Sequence, residues 1–189
     1  CAQYAGGENG RATAFVDDNA APGGNGSDNM NYQSINTAVA GTLTGGTVQV
    51  AAGGYNEDVT VGKSVTVNGA GVALTTVTGQ IGGPSGATFQ IAANNVTVRD
   101  FKLTRAGNNL TDGNNPGLSS VGVAVQGAIS GLTQNNNLIT GNRNGIDINN
   151  SSGHTIRNNR IVDNRTGFIF RNQTDNMTVV ENEIADNWT

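Results

Sequence analysis

The chain of 189 residues is short of several things: it has one cysteine, three prolines, one histidine and only 5% aromatic residues. A lone cysteine, Cys1, excludes an internal disulfide framework and any zinc site built from several cysteines. Charged residues make up just 13%, which argues against a disordered polyelectrolyte. There are two lysines, Lys63 and Lys102, and the net charge is −4, which argues against a nucleic-acid partner. No apolar run approaches the roughly 18 residues that a membrane-spanning helix needs. In abundance are 28 Gly and 28 Asn, twenty of the latter from Asn94 onward, set among plentiful Val, Ile and Thr. That composition describes a β-rich, polar-surfaced domain long enough to bury a sizeable core.

The Asn residues recur at fixed offsets. Gly131–Asn142 reads GLTQNNNLITGN, Gly153–Asn164 reads GHTIRNNRIVDN, and Asn176–Asn187 reads NMTVVENEIADN. Asn137, Asn159 and Asn182 correspond, as do Ile139, Ile161 and Ile184, and then Asn142, Asn164 and Asn187. The first two copies run on into Gly145-Ile-Asp-Ile148 and Gly167-Phe-Ile-Phe170, and a degenerate copy opens at Asn95. Short alternating strands broken by Asn and Gly at such spacing predict a coil of about three strands per turn, with coils stacked roughly 4.8 Å apart. The three Ile positions then form an internal aliphatic ladder, and the Asn positions mark bends with amides bonded along the axis.

This pattern resembles the repeat of right-handed parallel β-helix proteins of the pectin lyase-like superfamily. The segments Tyr32–Val39, Gly46–Val61 and Lys63–Gly71 are similar to the opening of that fold. The expected architecture is all-β: an N-terminal extension or loop over residues 1–30, then a right-handed β-helix over 31–189. Its capping helix is expected at about 32–40, its coils at about 45–189, and its last coil is incomplete. Ile35, Ala38 and Val39 have helical spacing and suit a cap over the first sheet edge. After Asn187 the repeat predicts another Gly-apolar-x-apolar strand. The expectation is therefore a longer solenoid, or a cap supplied end to end by a second copy.

Candidate chemistry follows from the same register. Pectin methylesterases share the opening, and the resemblance implies a Gln-Asp pair that Leu138–Asp147 lacks and a second Asp that is missing from Phe168-Ile-Phe170 after Gly167. A calcium-dependent lyase needs a carboxylate cluster on an outer sheet, but outward positions read Ala124, Asp147, Ile169 on one strand and Leu138, Arg160, Glu183 on another. Arg160 and Glu183 are expected to pair between coils. Asp163 and Asp186, one coil apart, are a weighed glycosidase dyad, with turn geometry as the alternative. Asp17, Asp18 and Asp28 are read as a candidate calcium site beside the plainer reading of a solvated turn. His154 aligns with Leu132 and Met177 and is read as structural.

The Gly107–Leu118 insertion departs most from the repeat, and loops on solenoids often bind. Asn108 and Asp112 on it, with Asp100, Lys102 and Arg105 at its base, are the candidate carbohydrate groove, with Tyr55 and Trp188 weighed as stacking residues. Sequons at Asn95, Asn109, Asn150, Asn164, Asn172 and Asn176 are candidate glycosylation sites. Thr75, Thr76 and Thr78 form no regular threonine array in the sequence. The reading is a non-catalytic extracellular or cell-surface β-helix, structural, adhesive or self-assembling, without a cofactor unless calcium binds. The alternative is a polysaccharide-active enzyme or carbohydrate-binding fragment. A lipid anchor on Cys1 is one expectation for its attachment.

Overall fold

The computed structural model describes residues 10–80, 86–105, 107 and 120–189. Among the described residues, eighteen short strands and one helix wind as a right-handed parallel β-helix. Each complete coil contributes one strand to each of three parallel sheets; β1 stands alone before the first coil and the last coil reaches only two of the sheets. The seven-stranded sheet runs β1 (Arg11–Val16), β2 (Thr42–Val50), β5 (Thr66–Asn68), β8 (Thr97–Arg99), β11 (Thr133–Asn135), β14 (Thr155–Arg157) and β17 (Thr178–Val180). The six-stranded sheet holds β3 (Gly53–Tyr55), β6 (Thr75–Gly79), β9 (Lys102–Arg105), β12 (Leu138–Ile139), β15 (Arg160–Val162) and β18 (Glu183–Ala185). The five-stranded sheet holds β4 (Val59–Val61), β7 (Ala87–Ile91), β10 (Val121–Gln126), β13 (Asn144–Asn149) and β16 (Thr166–Arg171).

Residues 11–16, assigned above to an N-terminal extension, are instead the first strand of the largest sheet. Alternation explains it: Ala14 and Val16 are buried and pair with Val48 and Val50. The helix α1 spans Ile35–Gly41, later than the expected 32–40, because Ser34 caps it and Tyr32 bridges back to Val16. The Glu57 carboxylate accepts bonds from the Ile35 and Asn36 backbone N–H groups at 2.7 and 3.1 Å, so the first turn's donors are satisfied. Ile35, Ala38 and Val39 are buried against the first coil.

Register stacks like residues. Tyr55, Val77, Leu103, Ile139 and Ile161 form one column in the interior, which Ile184 continues half exposed. Ile139 and Ile161 are wholly buried, and truncating either to Ala costs about 2–5 kcal/mol by the usual penalty for a large-to-small core change. On the outer face of the seven-stranded sheet, Thr13, Thr47, Thr66, Thr97, Thr133, Thr155 and Thr178 lie in register, and the last three share the offsets of the Asn repeat.

The two Asn ladders run along the bends. The Asn159 Oδ1 accepts the Asn137 N–H at 3.0 Å, and the Asn182 Oδ1 accepts the Asn159 N–H at 2.9 Å. In the second ladder, Asn164 Oδ1 accepts from Asn142 N–H and Asn187 Oδ1 from Asn164 N–H, both at 3.0 Å. The bend itself is made one residue earlier than the sequence reading placed it. Asn136, Asn158, Glu181, Gly141, Asp163 and Asp186 have φ between 53° and 71°, while the ladder amides turn inward and bond backbone. One residue takes the left-handed turn and the next fills the hole it leaves.

Asn159→Ala removes a side chain that bonds Gln134 O, Arg157 O and Asn182 Oδ1 and accepts from Asn137 N–H, so it is expected to destabilise by about 3 kcal/mol in urea unfolding. Gln134 is wholly buried in a column with Val48, Val67, Val98 and Ile156, and its Nε2 has no partner. Gln134→Val is expected to stabilise by about 1 kcal/mol in the same measurement, because it removes an unsatisfied buried donor.

Candidate functional site

Along the five-stranded sheet, outward side chains of β7, β10, β13 and β16 line an open groove of about 360 Å³. Ala124, Asp147 and Ile169 stand in register along its floor with Gln90, and Gln126 and Arg171 rise beside them in the next outward rank. Asn144 and Val121 close the other side. Asp147 is only 3% exposed, although it points out of the coil. Its cover is Arg171, whose Nε donates to Oδ1 at 3.0 Å and whose Nη2 donates to Oδ2 at 2.7 Å. This two-bond fork is the strongest geometry for such a pair. Arg171 reaches Asp147 diagonally, because Ile169 is directly opposite Asp147 and Arg171 is two residues on. An in-rank comparison of Ala124, Asp147 and Ile169 misses it; the i, j+2 diagonal is the signal that finds it.

Asp147 is the one carboxylate among the described outward positions of this sheet's strands. Acid–base or nucleophilic hydrolysis of a glycosidic bond uses two carboxyl groups, one of them protonated. A carboxylate held from both oxygens by a guanidinium fills neither role. Asp163 and Asp186 sit on bends of the six-stranded sheet's far edge with left-handed backbone, which accounts for their acidic side chains.

Of the carbohydrate candidates, the three that lie among the described residues, Asp100, Lys102 and Arg105, do not converge. Asp100 is on a left-handed bend, where it accepts from Asn136 and pairs with Arg99 at 3.1 Å. Lys102 points outward from β9, whereas Arg105 at the strand's other end turns inward. Arg105 is 3% exposed and bonded to the Asp58 carboxylate at 2.7 Å, so it lines no open groove with Lys102. Burial lowers its pKa, opposed by Asp58. Asn108, Asn109 and Asp112 lie outside the described residues, as does Cys1. Tyr55 is buried, with its phenol pKa pushed up to about 12 by that burial, and donates to Ala51 O at 3.2 Å. Trp188 is exposed, with the Arg165 guanidinium 5.4 Å from its ring centre.

The Asp17 and Asp18 carboxylates are engaged in turn bonds: Asp17 Oδ1 accepts from Asn19 N–H, and Asp18 accepts from Asn19 Nδ2 and Gly54 N–H. Asp28 shares a small cavity with Asp17. Among the described residues no three His, Cys, Asp or Glu side chains are grouped to hold a metal ion. Of the sequons, Asn95, Asn150, Asn172 and Asn176 are exposed on left-handed bends, whereas Asn164 is buried as a ladder member. Arg160 and Glu183 pair between coils at 2.6 Å.

His154 is 1% exposed between Leu132 and Met177 of the neighbouring coils. Its Nδ1 accepts the Leu132 N–H at 3.1 Å, which leaves the ring proton on Nε2, 2.7 Å from Ser151 Oγ. The Ser151 hydroxyl in turn donates to Ile129 O. The serine proton is thus held by a carbonyl, and the pair is no catalytic dyad. Burial lowers the His154 pKa from its ordinary 6.5. Protonation would also place a proton on Nδ1 against the Leu132 N–H. The unfolded chain therefore takes up the proton first, and stability contributed by neutral His154 is complete above about pH 6.5 and declines as pH falls from there toward the depressed folded value. Thermal unfolding between pH 7 and 5.5 should show this decline, and His154→Leu should flatten it.

Residues 27–189 match the family model described as "Periplasmic copper-binding protein (NosD)". No curated protein sequence matches the chain. Among solved structures, a pectin methylesterase mutant in complex with a hexasaccharide is similar over 83% of this chain and 57% of its own, at 13% identity and a TM-score of 0.56. Pectin methylesterase from carrot is similar over 84% of this chain and 55% of its own, at 17% identity and a TM-score of 0.50. These likenesses are of fold. The chain spans little more than half the length of those enzymes.

Proposed function

We propose that this chain, which belongs to the NosD family, is a non-catalytic adhesive β-helix acting outside the cytoplasmic membrane and holding an extended polysaccharide in the groove of its five-stranded sheet. The observation that carries this reading is the groove itself, a polar channel laid across successive coils whose one carboxylate is held from both oxygens by Arg171. Amide, carboxylate and guanidinium groups are suited to sugar hydroxyls, and the Ala124 and Ile169 side chains offer apolar contact to a pyranose C–H face. The location follows the family's description as periplasmic, and no described helix is long and apolar enough to cross a membrane.

Copper, which the family description also names, does not fit the donors described in this chain. Both ring nitrogens of His154, the one histidine, already have protein partners in a buried site. Met30 and Met177, the two methionines, lie near opposite ends of the seven-stranded sheet. Copper sites in proteins are built from converging imidazole, thiolate or thioether groups, and among the described residues no such set converges.

The test is binding of soluble polysaccharides by isothermal titration, with parallel assays for methanol and reducing ends. Binding without product is expected. Gln126→Ala and Gln90→Ala should each weaken it about fivefold, the worth of roughly one hydrogen bond. Product release by the wild-type chain would replace this reading with the enzymatic one.

A further inference from the structure

We infer that the Asp147–Arg171 pair makes the groove selective for uncharged glycans over polyuronates, an inference that rests on the groove being the polysaccharide site proposed above. The charges on its lining residues are one minus and one plus, and they are spent on each other at 2.7 and 3.0 Å. The remaining polar side chains there are the amides of Gln90, Gln126 and Asn144. A polyuronate carries one carboxylate per sugar and would meet no unneutralised cation to replace the water it gives up. It would also approach a chain of net charge −4, with Asp147 on the groove floor.

A neutral polyol meets complementary chemistry at the same place. Asp147 is buried beneath Arg171 and accepts from it through both oxygens, so the carboxylate holds the guanidinium in one orientation. The guanidinium uses Nε and Nη2 on Asp147, and its side chain is half exposed, so it still presents N–H donors outward. Hydroxyls of a sugar can thus accept from Arg171, while the neighbouring amides of Gln90, Gln126 and Asn144 both donate and accept. The pair is a specificity device, in which the carboxylate both orients the arginine and cancels its attraction for anions.

The decisive measurement is titration calorimetry of the full chain with polymers that differ in charge: fully methyl-esterified homogalacturonan, de-esterified polygalacturonate, and neutral galactan, mannan and β-glucan. The wild-type chain is expected to bind at least one uncharged polymer at least tenfold more tightly than polygalacturonate. Asp147→Asn removes the negative charge and releases Arg171, so it should lose about tenfold on the uncharged polymer and gain several-fold on polygalacturonate. Arg171→Gln should weaken the uncharged polymer without that gain. Unfolding midpoints near the wild-type value check that both variants are folded, and the opposite changes expected of Asp147→Asn cannot arise from a merely weakened fold. Equal or tighter wild-type binding of polygalacturonate, or no gain by Asp147→Asn, overturns this inference and leaves the polysaccharide reading standing. A wild-type chain that binds none of these polymers overturns both.

Discussion

The structure depends on the hydrogen bond by which one coil's asparagine side chain accepts the backbone N–H of the asparagine one coil earlier. Parallel coils have no hairpin turns to set their register, and a one-residue slip would turn every inward side chain outward. The Asn137–Asn159–Asn182 and Asn142–Asn164–Asn187 ladders pin two corners of the three C-terminal coils. They also occupy backbone carbonyls and N–H groups that a bend would otherwise bury unpaired. Aliphatic stacking then follows: Ile139, Ile161 and Ile184 are superposed because their flanking corners are.

The outer surface inherits the same register. Asp147 is beside Ile169 and diagonal to Arg171 because β13 and β16 are held in step, and that diagonal makes the groove's charge pair. A shift by one residue would move Asp147 into the interior and Ile148 into the groove. The rigid parts of this protein thus have two jobs, with amides inside the corners setting the frame and side chains on one face using it. The fold is shared with pectin methylesterases, but fold alone does not carry their chemistry to this chain. The groove contains one carboxylate where two-carboxyl mechanisms need a pair, and that carboxylate is neutralised.

Much of this was legible in the sequence. The 22- and 23-residue offsets disclosed the coil, and Ile35, Ala38 and Val39 disclosed the helical cap. The bends were read one position late, since Asn137 and its counterparts looked like turn residues when they are the amides beneath the turn. Residues 11–16 escaped because a first strand has no earlier copy to align with, and its partner β2 lies some thirty residues on. Thr133, Thr155 and Thr178 follow the repeat, whereas unequal coil lengths hid the earlier members of the threonine rank. Asp147 and Arg171 were overlooked as partners because ranks were compared straight across, while long side chains pair on the diagonal. The inward turn of Arg105 toward Asp58 follows the alternation of β9, two residues on from Leu103, but a charged side chain at an inward position is not read as core.

The account as a whole is tested most directly by nuclear magnetic resonance of the 15N-labelled chain titrated with the tightest-binding uncharged oligosaccharide. The prediction is that the side-chain amides of Gln90, Gln126 and Asn144 and the Arg171 Nε–H shift progressively. The Asn159 and Asn164 amides, locked inside the corners, should stay in place. Shifts confined to the seven-stranded sheet or the six-stranded sheet, or general broadening of the ladder amides, would contradict it.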